Sequence, residues 1–218
     1  MISFEDSKLH YLNVGTRGRG EPIRFILRDA GVNYQDVLYS FPEWGESKAK
    51  IAEMYPAAVL PFIETKDGQY FGATVPLLRL LGKQLGYYPT DPEDDHFIEQ
   101  TADLASGWVA EYCNLFFLPD QKEYHRTYVM PHHLARIERL YAAYPNGPYA
   151  LGAKITYADF LVYHILYQEK LLDNLQSLHL NEFVKAFENR PKIKAYLDTL
   201  PKQEEDIVID YYAKKSSA

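Results

Sequence analysis

The sequence predicts an α/β layer over residues 1–86 followed by an all-helical domain over residues 96–218, on three observations. Strand-like and helix-like segments follow one another in the order β-α-β-α-β-β-α up to Gly86. The stretch YYPTDPEDD (87–95), with its prolines and run of acids, reads as a linker. From His96 onward the apolar residues recur with helical spacing, and no convincing strand is found.

The first strand carries Leu9, Tyr11 and Leu12 and runs through a turn with Gly15, Gly18 and Gly20 into a helix with Pro22 in its first turn. Ile23, Ile26, Leu27 and Ala30 form one face of that helix, which stops at Gly31. Backbone N–H groups, a helix N-terminus, two arginines and a phenol therefore converge, an arrangement that favours anions and developing negative charge. Residues Tyr34–Phe41 read as the second strand, and a polar helix is expected around Gly45–Tyr55. AAVLPFIETKDGQYFGAT reads as a hairpin turning at Lys66-Asp67-Gly68, with Pro61 opening its first strand. Thr74 is placed to cap the next helix, whose Val75, Leu77, Leu78, Leu81 and Leu85 lead to a stop at Gly86. Together these elements resemble a thioredoxin-like layer.

The second domain is expected to hold long helices near 96–118 and 122–144. In KITYADFLVYHIL, Thr156 and Asp159 form a capping box, with Ile155 placed to staple onto Phe160. His125, His132 and His133 share one side of a helix without a completing carboxylate or cysteine pattern, so they read as a solvated surface and no metal site is expected. Cys113 reads as a buried small residue.

With 47% hydrophobic residues, the 218-residue chain has enough apolar content for a sizeable core. Its single cysteine excludes an intrachain disulfide, and MISFEDSK lacks the marks of a secretory leader, so a cytoplasmic protein is expected. A net charge of -7 argues against a general nucleic-acid binder, and no segment is apolar for long enough to span a bilayer. Small molecules are the expected partners. Most of the 19 tyrosines are expected to pack.

Motif order across nearly the whole chain resembles the cytosolic glutathione transferases, in particular a sigma-like, tyrosine-using branch. The matching pieces are Tyr11 followed by RGRGEPIR, Trp44 with Lys48, Leu60-Pro61, DGQYFGAT before a helix containing Arg79, and the Thr156–Asp159 box. The resemblance implies a glutathione-binding domain over 1–86 and an electrophile site in 96–218, with glutathione as co-substrate, no metal, and a homodimer. It implies Tyr11 and Arg19 as stabilisers of the thiolate, since only the thiolate attacks electrophiles quickly. It assigns Trp44, Lys48, Leu60, Pro61, Thr74 and, across a dimer interface, Asp103 to glutathione, with Lys50 competing for the role of Lys48. A cis bond before Pro61 would turn the backbone of Leu60 outward for a peptide to pair with. Trp108, Tyr112 and Phe116, every fourth residue, are the expected lining of a pocket for an apolar electrophile, with core packing as the alternative.

A glutathione-dependent isomerase is the alternative enzyme, which no feature of the sequence selects, and three departures from the family pattern leave open a non-catalytic ligand-binding or structural member. Ala73 and Val59 stand where polar side chains are usual, which weakens glutathione binding. Two extra residues lie between Tyr11 and Arg17, and they either bulge outward or carry the phenol off target, in which case Thr16 offers its hydroxyl instead.

Overall fold

A computed structural model describes residues 2–144 and 146–200. These fall into two compact units that divide between Tyr88 and Pro89.

In the first unit, β1 (Ser7–Leu12), β2 (Tyr34–Tyr39), β3 (Phe62–Glu64) and β4 (Tyr70–Gly72) form one sheet in the order β2-β1-β3-β4. β1 runs parallel to β2 and antiparallel to β3, and β3 pairs antiparallel with β4. The crossover between β1 and β2 is α1 (Glu21–Ala30), which has Pro22 in its first turn and Gly31 in the left-handed conformation as its stop. β2 ends at Tyr39, two residues short of the expected Phe41. Ser40 leaves the ladder to cap α2 (Phe41–Met54), its hydroxyl accepting from the Glu43 N–H while the Glu43 carboxylate accepts from the Ser40 N–H at 2.7 Å. This box starts the helix four residues before the expected Gly45. The β3–β4 hairpin turns through Gly68 as expected (φ 78°).

α3 (Thr74–Leu85) buries Leu77, Leu78 and Leu81 and stops at Gly86. Thr74 is not its cap but its first residue. The capping position belongs to Ala73, which lies at φ 65° and ψ 133°, a region that L-residues seldom adopt.

The connection to the second unit is shorter than the expected 87–95. α4 (Pro92–Asn114) begins at Pro92, where the Asp91 carboxylate accepts from the Glu93 N–H at 2.9 Å. Glu93, Asp94 and Asp95, an acid run that reads as linker, fill the first helical turn, where the helix dipole favours negative charge. The expected helix over 122–144 is broken into α5 (Lys122–Tyr124), a π-helical turn (His125–Val129) and α6 (Met130–Ala142). Pro131, which has no N–H to give the ladder, is the second residue of α6, one residue past the π turn. α7 (Tyr157–Gln168), α8 (Leu178–Glu188) and α9 (Pro191–Leu197) follow among the described residues, with isolated bridges at Tyr149–Gly152 and Leu151–Lys154.

α7 is buried almost all round, so its start cannot use water for the unsatisfied N–H groups of its first turn. Asp159 serves instead. Its fully buried carboxylate accepts from the Thr156 N–H at 2.7 Å, the Thr156 hydroxyl at 2.8 Å, the Ala150 N–H at 3.0 Å and the Tyr141 hydroxyl at 2.8 Å. Burial pushes this carboxyl upward in pKa while the four donors hold the carboxylate in place. One residue thus ties α6, the 149–152 bridge and α7 together. Replacing it by alanine strands four buried donors, and Asp159→Ala is expected to cost more than about 3 kcal/mol in urea unfolding, whereas an exposed charge on the same unit, as in Asp103→Ala, should cost less than about 0.5 kcal/mol.

Candidate active site

Strand alternation sends Leu9 and Tyr11 to one face of the sheet and Lys8 and His10 to the other. Tyr11, 5% exposed, lies against the turn that leads into α1. Its hydroxyl accepts a hydrogen bond from the Arg19 N–H at 2.5 Å. A Cβ on Gly18 would sit 2.3 Å from the Tyr11 hydroxyl oxygen, and one on Gly20 would sit 2.5 Å from ring atom Cδ1. Gly18 also needs its freedom for φ 81°. The turn is therefore a glycine cradle fitted to a phenol. The residues inserted between Tyr11 and Arg17 are taken up by a local turn, with the Arg17 N–H bonded to the Val14 carbonyl at 3.2 Å and Gly15 at φ 62°. Val14 and Thr16 are buried in that turn, and it is the Tyr11 oxygen that the Arg19 N–H meets.

Short bonds extend the cluster. The Thr74 hydroxyl donates to the Arg19 carbonyl at 3.5 Å, and the Ala73 N–H donates to the Pro61 carbonyl at 3.1 Å. The β1–β3 ladder stops at the pair His10–Phe62, and continuing that register sets Pro61 opposite Tyr11. Leu60 and Pro61, joined by a cis peptide bond, thus run on past the end of the ladder beside the tyrosine. The N-termini of α1 and α3 meet here through Thr74 and Arg19. Glu21, the acid in the first turn of α1, is fully buried and paired to Arg24 at 2.8 Å, and Arg24 also binds Asp36 at 2.8 Å. Neither residue figures among the expected site residues. Glu21 spends its charge on Arg24, so the partial positive charge of both helix ends faces the cluster.

The remaining expected residues lie elsewhere. Trp44 and Lys48 are on α2, Trp44 half-buried edge-on to Tyr39 (5.6 Å) and Lys48 exposed. Lys50 borders a cavity on the opposite face of the sheet, with His10 and Glu64. Val59 is exposed, and Asp103 is exposed on α4. Trp108 is 0% exposed: its indole N–H donates to the Glu169 carboxylate at 2.7 Å and its ring stacks on His133 at 5.5 Å. It belongs to the core of the helical unit rather than to a pocket wall. Tyr112 and Phe116 stay edge-to-face, 5.7 Å apart, at the end of α4.

The expectation of a solvated histidine surface holds for His132 and fails for the other two. His125 is buried and lies 2.6 Å from the same Glu169 oxygen, and His133 is buried against Trp108, 3.4 Å from Glu111. Cys113 is half-buried rather than buried. Among the described residues, no three His, Cys, Asp or Glu side chains gather to hold a metal ion, and no helix is long and apolar enough to cross a membrane.

The chain thus combines a thioredoxin-like sheet, with a tyrosine aimed at a glycine turn, and a helical unit initiated by a buried capping box. Residues 107–199 match the family model described as "Glutathione S-transferase, C-terminal domain". The chain is 28% identical over 199 residues to Glutathione S-transferase P of Caenorhabditis elegans, covering 88% of this chain and 91% of that one. Its fold superposes on the Pi-class glutathione S-transferase of Onchocerca volvulus with a TM-score of 0.79 at 24% identity, over 88% of this chain and 92% of that one. The sigma-class enzyme of Fasciola hepatica gives a TM-score of 0.77 at 22% identity, over 93% and 100%. The chain thus has the fold of the glutathione S-transferases, and its second unit matches their C-terminal domain.

Two outcomes follow from this geometry. Gly20→Ala keeps a helix-compatible backbone but drives a methyl into the Tyr11 ring, so it is expected to cost about 1–3 kcal/mol in thermal unfolding. On the other face, burial is the main cause that holds His10 below the usual histidine pKa, against the opposing pull of Glu64. A folded-state pKa below the unfolded one means that stability present above about pH 6.5 is lost as the pH falls. The urea midpoint of the native protein should therefore fall relative to that of His10→Phe as the pH drops from about 7 to about 5.

Proposed function

We propose that this protein conjugates glutathione, as its thiolate, to small apolar electrophiles, using the tyrosine mechanism that its motif order implies. The observation that carries the reading is the Tyr11 hydroxyl held against Gly18 and Gly20 by the Arg19 N–H. A phenol that accepts from a backbone N–H is a stronger donor in turn, because the bond draws density from its oxygen. Donating to the glutathione sulfur, it favours the thiolate over the thiol. The two helix N-termini and the Arg19 guanidinium add favourable potential for an anion at the same place.

In this reading the peptide backbone of glutathione pairs with Leu60 where the β3 ladder ends, and the N-terminus of α3 at Ala73-Thr74 receives a carboxylate. Trp44 and Lys48 flank the glycine end. Asp103 reaches the ligand's amino group from the partner subunit of a homodimer, and Tyr112 and Phe116 belong to the electrophile site. The protein works in the cytoplasm and needs no metal.

Ala73 offers no side-chain hydrogen bond where the family usually has glutamine, so glutathione binds weakly. One missing bond of about 0.5–1.5 kcal/mol predicts that Ala73→Gln lowers KM for glutathione roughly 2- to 10-fold.

The central test is Tyr11→Phe assayed with glutathione and chlorodinitrobenzene. A hydrogen bond to a charged group is worth about 1.5–3 kcal/mol, so kcat/KM should fall roughly 10- to 150-fold, and the apparent thiol pKa in the complex, read from thiolate ultraviolet absorbance, should rise by about 1–2 units. Unchanged activity in Tyr11→Phe sinks the role of the phenol. Failure of glutathione to bind at millimolar concentration in calorimetry sinks the transferase reading as a whole.

A further inference from the structure

The face of the sheet opposite Tyr11 carries a cavity of about 390 Å3 beneath α2, within the size range of small-molecule sites. Its floor is His10 stacked on Phe62 (4.2 Å between centroids, 11° between planes), its walls include Tyr39 and Tyr70, and Glu46 and Lys50 stand at its mouth on α2. Tyr11, Arg19, Pro61 and Thr74 take no part in the lining.

Hydrogen-bond accounting fixes the polarity of this space. His10 Nε2 lies 3.2 Å from the Glu64 carboxylate, which only accepts, so Nε2 carries the proton. Burial disfavours a second proton on the ring, so Nδ1 accepts, and its partner at 2.8 Å, the Tyr39 hydroxyl, is the donor. The Tyr70 hydroxyl likewise donates to Met54 Sδ at 3.5 Å. Each phenol commits its proton to the protein and keeps its oxygen lone pairs for a ligand. Around aromatic faces the cavity thus presents two phenol oxygens, the carboxylate of Glu46, and that of Glu64, which is already paired with the exposed Lys8 at 3.3 Å. Its donors are confined to the mouth, where they are Ser47 and the exposed, long-stemmed Lys50, which can turn to solvent. A surface of acceptors and π faces is complementary to a cation with N–H donors on an apolar body.

We propose that this cavity is a second ligand site, for a small arylalkyl ammonium ion. The ammonium lies against the Glu46 carboxylate, and the ring lies against Tyr39 and Tyr70. This assignment does not rest on the transferase reading, because the two sites occupy opposite faces of one sheet.

The test is calorimetry or saturation-transfer NMR on the full chain with three probes of one shape: tyramine (cation), 3-(4-hydroxyphenyl)propionate (anion) and para-cresol (neutral). Tyramine should bind at least about tenfold more tightly than the anion. Glu46→Gln, on the exposed side of α2 where it cannot unfold the sheet, should weaken tyramine at least about threefold, and Met54→Trp, which fills the mouth, should abolish binding. Saturating glutathione and Tyr11→Phe should both leave tyramine affinity unchanged. Absence of tyramine binding at about 10 mM, equal binding of anion and cation, indifference to both α2 variants, or displacement of tyramine by glutathione each overturns the proposal.

Discussion

The first unit is organised around a steric fact: the Tyr11 ring occupies space that side chains at positions 18 and 20 would need. The contact fixes the path of the chain from β1 into α1, since only backbone can pass so close to the phenol. That path presents the Arg19 N–H to the hydroxyl and sets the N-terminus of α1 beside it. Arg19 in turn gives its carbonyl to Thr74, which brings in the start of α3, and the neighbouring Ala73 N–H holds the Pro61 carbonyl. Four segments distant in sequence are thus joined mostly through backbone atoms. None of these bonds uses the side chain of Ala73 or Val59, so the frame does not depend on what those two positions carry. The frame has a cost. Ala73 stands at φ 65°, a conformation that persists only because both its N–H and the turn that follows are held.

The helical unit solves a different problem with the opposite material. α7 is surrounded by protein, so its first turn must be satisfied by a side chain, and a buried carboxylate is acceptable only with several donors. Asp159 has four. At the other end of the same helix, Glu169 takes both the Trp108 indole and His125, joining α4 and the π turn to α7. The two ends of one helix are therefore fixed by acids whose partners come from the rest of the unit, and Trp108 is drawn into the core by its N–H as much as by its size.

How far these arrangements were legible in the sequence depends on how far apart the partners lie. The succession of strands and helices along the first unit, the Gly31 and Gly86 stops and the Thr156–Asp159 box rest on patterns within a few residues, and periodicity and capping rules find them. Helix starts were harder where one residue type serves two purposes: Ser40 continues an apolar strand as naturally as it caps a helix, and PEDD is as good a first turn as it is a linker. His125 read as solvent-facing because its partner, Glu169, is 44 residues away and no local pattern announces it. The spacing of Trp108, Tyr112 and Phe116 shows a shared helix face but not which neighbour covers it. The aim of Tyr11 was undecidable for the same reason. Two extra residues can bulge or displace, and the outcome rests on the buried Val14 and Thr16 that anchor the turn.

The period-two alternation of β1 gives its two faces opposite chemistry. Tyr11 looks toward the Arg19 N–H and the N-termini of α1 and α3, a surface of donors. His10, the residue before it, looks toward the Glu64 carboxylate and the Tyr39 phenol oxygen, a surface of acceptors. A register shift of one residue would exchange the two and place a phenol among carboxylates, so the pairing of β1 with β3, at His10–Phe62 and Lys8–Glu64, guards both surfaces at once. The ion pair of Lys8 with Glu64 at 3.3 Å and the stack of His10 on Phe62 form only in this register. The acceptor-lined face therefore helps to specify the strand pairing on which the aim of Tyr11 depends.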